Sequence, residues 1–442
     1  YAFSYCNNLK ELILPNNIEF IGCCFLNACS NVNSITIPKS LSSLNFTNTK
    51  YYPFVNSSVS KVIFEEGTKN IISHVLINAT KLTEVIIPNS VSSIGNYSFC
   101  DCSSLKQINI PENVSIIGHF AFAGTGLITI TLPNKLKIIS NNLFGGCNQM
   151  KSIILPNNIT EIQKEAFYNC IRLEKIELPN EILYIGASAF YNCKQLTELI
   201  LPNKLESIGA NFISRCSKII NITIPKSLKT VYFYYDYRSP FSNSFVSKVI
   251  LEEGTTHIKS YFFDSITTLK EVIIPNSVFS IGEYSFYKCY SLTQISIPEN
   301  VSNIGKYSFE SSGLTSINLP NKLQIINDDL FNNCYQLKEV IMCQSITKIK
   351  SRAFYNCTKL EKINISNQVT SIENLVFFNC SMLTELILPN KIEYIGYQFI
   401  SNCLKIESIT IPKSLKSIYN KTSNYYPFVN SSVSKVIFEE GT

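Results

Sequence analysis

The chain has 442 residues, a formal net charge of +6, 45% hydrophobic residues and 16% charged residues. This apolar content excludes a chain that is disordered throughout, and a weak charge spread along the sequence argues against a nucleic-acid surface. No run of about 18 apolar residues predicts a membrane span, and 16 cysteines are too few for the scaffold of a small disulfide-rich domain.

A repeat of about 23 residues, here called a rung, runs along the whole chain. Its marker is a proline that follows a short apolar stretch; Glu65, Glu252 and Glu439 take the same place, and Cys343 and Ser366 fill two more. The register counts about 19 rungs. The prolines are Pro15, Pro38, Pro88, Pro111, Pro133, Pro156, Pro179, Pro202, Pro225, Pro275, Pro298, Pro320, Pro389 and Pro412.

Each rung predicts two short strands. Residues 82–87 are rich in β-branched side chains and end at Pro88, which is typical of a strand that stops at a turn. A second short strand, residues 92–94, ends at Gly95. No segment has the long amphipathic period of a helix. The predicted fold class is a repeat solenoid of stacked short parallel strands, mainly β and turns, with little regular helix. The predicted inward residues of this rung are Leu82, Val85, Ile87, Val91, Ile94, Phe99 and Cys102.

The rungs are expected to form one continuous array over residues 1–442, because a rung buries its apolar face only by stacking on its neighbours. A longer period of 187 residues relates Pro15 to Pro202 and Pro389. It predicts eight-rung blocks at about 39–225 and 226–412. Both ends fall inside a rung, so the chain is expected to be part of a longer array.

The repeat resembles the BspA-type leucine-rich repeat family. The match is close from Ile176-Glu-Leu-Pro179 through Ile185-Gly186 to Ala189-Phe190-Tyr-Asn-Cys193. The resemblance implies a leucine-rich solenoid with an extracellular or cell-surface location. It also implies non-catalytic adhesion to surface or matrix proteins of a host or neighbouring cell. It implies no particular ligand.

The outward side of the first strand carries two columns of interest. Four residues before the marker, opposite charges alternate between rungs, as at Lys61 and Glu84, which predicts a solvated charge ladder. Two residues before the marker, isoleucine recurs. Exposed apolar side chains mark interaction sites, whereas β-propensity alone also explains isoleucine in a strand. The isoleucines predicted to bind a partner are Ile86, Ile154, Ile200, Ile273, Ile341 and Ile387.

Three long rungs rich in aromatic residues recur every 187 residues and form the second candidate binding surface. Tyrosine and arginine are frequent in interface hot spots, but the rings also suit a role in plugging the interior. The residues predicted to bind a partner are Tyr51, Tyr52, Phe54, Tyr232, Tyr234, Tyr235, Tyr237, Arg238, Tyr425, Tyr426 and Phe428.

Twelve of the 16 cysteines share one phase of the repeat, which predicts a ladder of small buried side chains. Disulfides between rungs are the alternative, since rungs about 4.8 Å apart lie within the range of a disulfide. The three histidines, His74, His119 and His257, occupy different phases and are interpreted as surface or loop residues. No catalytic set, metal site or cofactor is predicted.

The sequence therefore predicts a protein-binding surface protein that uses an extended repetitive face for adhesion. A self-assembling structural protein that forms filaments or a surface layer remains the alternative, in which the chain's partner is itself. Neither nucleic acid nor direct membrane insertion is expected.

Overall fold

The computed structural model describes residues 2–45, 52–232, 239–418 and 426–440. The described residues form short strands and turns, with no helix among them. As far as these residues define them, the chain has two compact units, Tyr1–Ile220 with Ser227–Tyr234 and Asn221–Lys226 with Tyr235–Thr442. Each unit is a β-solenoid, and together they have about 17 turns of stacked parallel strands. The predicted fold class is confirmed.

The strands are two to four residues long, because each rung turns a corner after every short apolar segment. In chain order they are β1 (Phe20–Gly22), β2 (Ser34–Ile37), β3 (Ser43–Asn45), β4 (Lys61–Phe64), β5 (Asn70–Ile71), β6 (Glu84–Ile86), β7 (Ser93–Ile94), β8 (Ile116–Ile117), β9 (Thr129–Thr131), β10 (Ile138–Ile139), β11 (Ser152–Ile154), β12 (Glu161–Ile162), β13 (Lys175–Ile176), β14 (Tyr184–Ile185), β15 (Ser207–Gly209), β16 (Asn221–Ile224), β17 (Thr230–Tyr232), β18 (Lys248–Leu251), β19 (His257–Ile258), β20 (Glu271–Ile273), β21 (Ser280–Ile281), β22 (Asn303–Ile304), β23 (Ser316–Asn318), β24 (Ile325–Ile326), β25 (Glu339–Ile341), β26 (Lys348–Ile349), β27 (Lys362–Ile363), β28 (Ser371–Ile372), β29 (Tyr394–Ile395), β30 (Ser408–Ile411), β31 (Ser417–Ile418) and β32 (Lys435–Phe438).

The strands before the marker form what we call the first ladder, and the strands after it form the second ladder. In the first unit the first ladder consists of sheets β2-β4-β6 and β9-β11-β13, and the second of β1-β3, β5-β7-β8 and β10-β12-β14-β15-β17. In the second unit the first ladder consists of β16-β18-β20, β23-β25-β27 and β30-β32, and the second of β19-β21-β22 and β24-β26-β28-β29-β31. The pairing is parallel throughout the described strands.

The first ladder is interrupted at regular places. No strand forms in residues 11–15, 107–111, 198–202, 294–298 or 385–389, all of which are described. These interruptions repeat at the 187-residue spacing, since 11–15, 198–202 and 385–389 are equivalent. The interruptions at 11–15, 198–202 and 385–389 carry the three most exposed isoleucines of the chain.

The core is built from one ring and several aliphatic side chains per rung. Phe99, Phe122 and Phe144 are fully buried, and their rings stack with centroids 5.3 and 5.9 Å apart. Such spacing follows from rungs about 4.8 Å apart. Among the predicted inward residues of the second strand, Ile94 is 1% exposed and lies in register with Ile117.

The corners use backbone conformations that side chains other than glycine seldom adopt. Tyr97 and Asp101, on either side of Phe99, have φ angles of 57° and 59°. The left-handed region is unfavourable for most residues, but here it turns the amides toward the next rung. Tyr97 N–H donates to His119 O at 2.9 Å, and Asp101 N–H donates to Ala123 O at 2.7 Å. Hydrogen bonds between rungs thus stabilise both corners.

Candidate binding surface

The isoleucines two residues before the marker face solvent, and we call them the outward isoleucine column. Ile13 is 81% exposed, Ile200 is 71% and Ile387 is 68%. These three lie at the interruptions of the first ladder, where no strand forms. β-Propensity therefore does not account for isoleucine at these positions. The column consists of Ile13, Ile63, Ile86, Ile154, Ile200, Ile250, Ile273, Ile341, Ile387 and Ile437.

In the first unit the column alternates with charge. Ile154 is 66% exposed and precedes Ile200 by two rungs. Glu177 takes the intervening place, and its carboxylate accepts from Lys175 Nζ at 2.7 Å. A groove of about 630 Å³ is lined by Ile154, Lys175 and Glu177, among others. The equivalent pair in the second unit is Ile341, 52% exposed, and Ile387.

Other members of the column lie side by side. Ile63 is the registered partner of Ile86, and Ile250 is the registered partner of Ile273. Ile86 and Ile273 are each 42% exposed. The six isoleucines predicted to bind a partner are therefore all on the surface, and their binding role stays a prediction.

The charge ladder beside the column is confirmed in part. Lys61 Nζ lies 2.8 Å from Glu84, and Lys248 Nζ lies 2.9 Å from Glu271, as the alternation predicts. Lys175 instead pairs within its own rung, with Glu177, which directly follows β13. All of these groups are well exposed, so solvent weakens their attraction and the pairs add little to the stability of the fold.

The aromatic long rungs are only partly described. Tyr52 is half-buried, Tyr426 is 56% exposed and Phe428 is half-buried. Apart from Phe54, the other predicted residues lie outside the described residues: Tyr51, Tyr234, Tyr235, Tyr237, Arg238 and Tyr425. For Tyr232 the structure describes the backbone only. Their proposed contact with a partner is untested.

The prediction that Phe54 binds a partner is wrong. Its ring is fully buried, and so is that of Phe241, its equivalent in the second unit. Phe241 stacks on Phe263 at 5.9 Å, so it continues the core column of rings. The signal was present in the sequence, because Ser57 stands three residues after Phe54, where other rungs have cysteine. The alternative interpretation, a plug for the interior, is the correct one for Phe54.

A second, half-buried column of aromatic rings was not predicted. In the first unit Tyr52, His74, Tyr97 and Phe120 stack successively at 6.2, 5.1 and 4.6 Å. In the second unit Tyr261, Tyr284 and Tyr307 stack at 4.8 and 4.5 Å. The sequence signal for this column is an aromatic residue two positions before the core residue of the rung, which is Leu76 after His74 and phenylalanine in the other rungs named here. His74 is thus a half-buried member of a stack, and burial lowers its pKa.

The predicted cysteine ladder is confirmed, and the thiols are free. Eleven of the twelve in-phase cysteines are buried, and only Cys6 is half-exposed. Each buried thiol reaches a backbone carbonyl of a preceding rung; Cys170 Sγ, for example, donates to Phe144 O at 3.2 Å. Burial raises the pKa of Cys147 to about 11 and that of Cys334 to about 12. The thiol is therefore a small hydrogen-bond donor of the core.

One half-buried charged cluster lies in the second unit. Asp329 is 1% exposed and pairs with Arg352 at 2.9 Å. Burial, and then the charge of Asp329, raises the pKa of Glu310 to about 7. Asn332 Nδ2 donates to Glu310 at 3.3 Å and to Asp329 at 3.0 Å, so both carboxylates are held by structural partners.

The described residues contain no group of three or more His, Cys, Asp or Glu placed to hold a metal ion. They also contain no helix of the length and apolarity that crossing a bilayer requires.

Comparison with known proteins supports the repeat assignment. A family model described as "BspA type Leucine rich repeat region (6 copies)" matches residues 1–127, 115–239, 237–359 and 302–432. A search of curated proteins returned no match.

Solved structures of bacterial repeat proteins are similar to the chain. A leucine-rich repeat protein from Bacteroides ovatus is 27% identical with a TM-score of 0.57, over 80% of this chain and 82% of that one. A leucine-rich cell surface protein from Faecalibacterium prausnitzii is 25% identical with a TM-score of 0.36, over 79% and 90%. The first likeness supports the solenoid fold.

Proposed function

The chain belongs to the BspA-type leucine-rich repeat family, and from this premise we propose that it is a non-catalytic adhesion protein of the cell surface. Leucine-rich solenoids use extended surfaces for binding. The proposed binding face is the outward isoleucine column together with the charged residues beside it. The proposed partners are surface or matrix proteins of a host or neighbouring cell.

One observation carries the proposal. Ile13, Ile200 and Ile387 are the most exposed isoleucines of the column, and none of them lies in a strand. A large apolar side chain that is mostly in water and outside regular structure contributes little to the packing of the fold. Repeated exposed apolar side chains are typical of an interaction surface.

The spacing of the column suits adhesion by many weak contacts. Each isoleucine buries a small area, so a single site binds weakly. Linked sites that engage together gain about 10²–10⁴-fold in overall affinity. We therefore expect strong attachment to a surface that presents many copies of the partner, and weak binding to the partner in solution.

The test replaces Ile13, Ile200 and Ile387 together by serine. Beads that display the full chain are washed over decellularised extracellular matrix and over a blank albumin surface. We expect the variant to leave about tenfold fewer beads on the matrix, because three apolar contacts are lost from a multivalent attachment. Bead counts under constant flow measure the effect.

The matched control is the triple change of Thr36, Thr223 and Thr410 to serine. These threonines are equally spaced members of the same outward position and are exposed. Circular dichroism checks that both variants fold. Equal attachment of the isoleucine variant and the unaltered chain contradicts the proposal. Concentration-dependent growth in light scattering that the isoleucine variant abolishes would favour the self-assembling structural protein instead.

A further inference from the structure

The charged cluster of the second unit joins two neighbouring rungs at a corner of the solenoid. Glu310 follows the buried ring of Phe309, and Asn332 follows the buried ring of Phe331 in the next rung. Asn332 Nδ2 donates to Glu310 Oε1 at 3.3 Å and to Asp329 Oδ1 at 3.0 Å. One side-chain amide therefore bridges two carboxylates that belong to adjacent rungs.

The two carboxylates differ in how their charge is compensated. Asp329 is 1% exposed, and the guanidinium of Arg352 contacts both of its oxygens, with Nε at 2.9 Å and Nη2 at 3.0 Å. Among the described residues, no cation lies within ion-pair distance of Glu310, and Lys306 of the same rung pairs instead with Asp328 at 3.8 Å. The charge of Glu310 is thus held by hydrogen bonding alone.

Several charged and titratable groups from four rungs face Glu310. They are Tyr284 and Lys288 of the preceding rung, Tyr307 of its own rung, Asp329 and Cys334 of the next rung, and Arg352 of the rung after that. Burial, and then the charge of Asp329, raises the pKa of Glu310 to about 7, whereas the Asn333 amide, Lys288 and Arg352 oppose this shift. Burial also raises the pKa of both tyrosines and of the thiol, so these three groups stay neutral while Glu310 gains or loses its charge.

An acceptor for a protonated Glu310 lies on the amide that already contacts it. Asn332 Oδ1 is buried and has no hydrogen-bond partner in the described part of the chain. A buried acceptor without a partner is unfavourable, and a carboxylate cannot satisfy it, because a carboxylate only accepts hydrogen bonds. A protonated carboxyl group has one O–H donor. It donates to Asn332 Oδ1 while it still accepts from Asn332 Nδ2, so two hydrogen bonds replace one.

We propose that Glu310 and Asn332 form a proton-operated latch between two neighbouring rungs of the second unit. The latch closes when Glu310 takes up a proton from water, because the pair then shares two hydrogen bonds and the repulsion from Asp329 is lost. It loosens when the proton returns to water. The first block lacks this latch, since Ala123 and Gly145 take the equivalent places.

The sign of the pH dependence follows from the raised pKa of Glu310. Its value of about 7 lies above the usual value of 4.5, so the folded chain binds this proton more readily than the open one. The stabilisation is complete below pH 4.5 and is lost as the pH rises through 7. We therefore expect the two rungs to be held together more tightly at pH 6 than at pH 8.

Two backbone hydrogen bonds beside the latch report its state. Phe309 N–H donates to Leu330 O at 3.1 Å, and Ser311 N–H donates to Asn332 O at 2.8 Å. They join the same two rungs on either side of Glu310. Exchange of these amide hydrogens therefore measures how often the rungs separate at this corner.

Hydrogen exchange of the full chain tests the latch, read by mass spectrometry on peptides that contain Phe309 and Ser311. Rates at pH 6 and pH 8 are corrected for the intrinsic effect of pH on exchange. We expect about tenfold higher protection at pH 6, because Glu310 is mostly protonated there and mostly charged at pH 8. No histidine follows His257 in the sequence, so no imidazole of these rungs contributes to the change.

Two substitutions separate the latch from the effect of charge. Glu310→Gln donates and accepts at every pH, so its protection is expected to equal the pH 6 level at both pH values. Glu310→Met is neutral and of similar length but has no donor, and we expect about tenfold lower protection than in Glu310→Gln, because the hydrogen bonds to Asn332 are lost. Glu339→Gln removes an exposed carboxylate of the next rung and is the control, which keeps the pH effect. Circular dichroism checks that all three variants fold.

Three results overturn the proposal. The first is equal protection of the unaltered chain at pH 6 and pH 8, and the second is a pH effect that persists in Glu310→Gln. The third is equal protection of Glu310→Met and Glu310→Gln, which would show that charge alone governs this corner. The latch residues occupy a different place in the rung from the outward isoleucine column, so these results leave the adhesion proposal to its own test.

Discussion

Some glycines of the repeat are required because the neighbouring rung passes directly beside them. A Cβ added at Gly305 would lie 2.5 Å from the backbone nitrogen of Glu283 and 2.8 Å from its Cα. Backbone atoms held in a ladder do not move aside as a flexible side chain does. We expect Gly305→Ala to destabilise the chain by about 1–3 kcal/mol, as overpacking does, and the midpoint of thermal unfolding to fall.

Gly22→Ala is the matched control, because Gly22 takes the place of Gly305 at the end of another strand of the second ladder. An added Cβ there meets no atom within 4 Å. Its effect is expected to stay within about 0.5 kcal/mol. Equal losses for the two variants would show that loss of glycine's flexibility, and not contact with the neighbouring rung, governs these positions.

The cysteine column is an element of the core whose chemistry follows from its burial. Thiolates are the reactive form of cysteine, and burial raises the pKa of Cys147 to about 11 and that of Cys403 to about 12. We expect Ellman's reagent to modify Cys6 and Cys23, which are half-exposed, and to leave the other cysteines unmodified in the native chain. The thiols of Cys147 and Cys403 stay protected as the pH rises from 7 to 9, because pH 9 still lies below their raised pKa.

Unfolding in urea provides the reference for this measurement, because all 16 thiols then become accessible. If fewer than 16 thiols react in the unfolded, unreduced chain, disulfides are present between rungs, and the ladder of free thiols is contradicted. Rapid native modification of Cys170 or Cys193 would show that the core opens at the corner.

At the scale of the element, the buried side chains were predictable wherever the repeat of the sequence alone decides which residues point inward. Ile94, Phe99 and Cys102 are buried as expected, because the repeat brings the same side chain to the same place in every rung. The interruptions of the first ladder were not predictable. Residues 198–202 have the composition of a strand, but pairing depends on how adjacent rungs align, which no local pattern encodes.

The candidate binding surface was predictable to a smaller extent. The outward direction of Ile200 follows from alternation along the rung, whereas its position outside a strand is a property of the fold. The Ser207 hydroxyl is buried and has no hydrogen-bond partner in the described part of the chain, but Ser207 resembles every other serine of the sequence, so nothing in the sequence distinguishes it.

At the scale of the whole molecule, the 187-residue period predicts that equivalent changes have equivalent effects. Ile94 and Ile281 are related by this period and are 1% and 0% exposed. Both belong to three-stranded sheets of the second ladder, β5-β7-β8 and β19-β21-β22. We expect Ile94→Ala and Ile281→Ala each to cost about 2–5 kcal/mol, the usual effect of truncating a buried isoleucine.

Hydrogen exchange read by mass spectrometry measures the two losses locally, since a solenoid opens rung by rung. Protection is expected to fall in the altered rung and its neighbours, and to remain unchanged in the equivalent rung of the other block. Ser93→Ala and Ser280→Ala, one residue earlier and outward, are the controls and leave protection intact. A loss that spreads from the altered rung into the other block would contradict nearest-neighbour stability, and a loss caused by one variant but not by the other would contradict the equivalence of the two blocks.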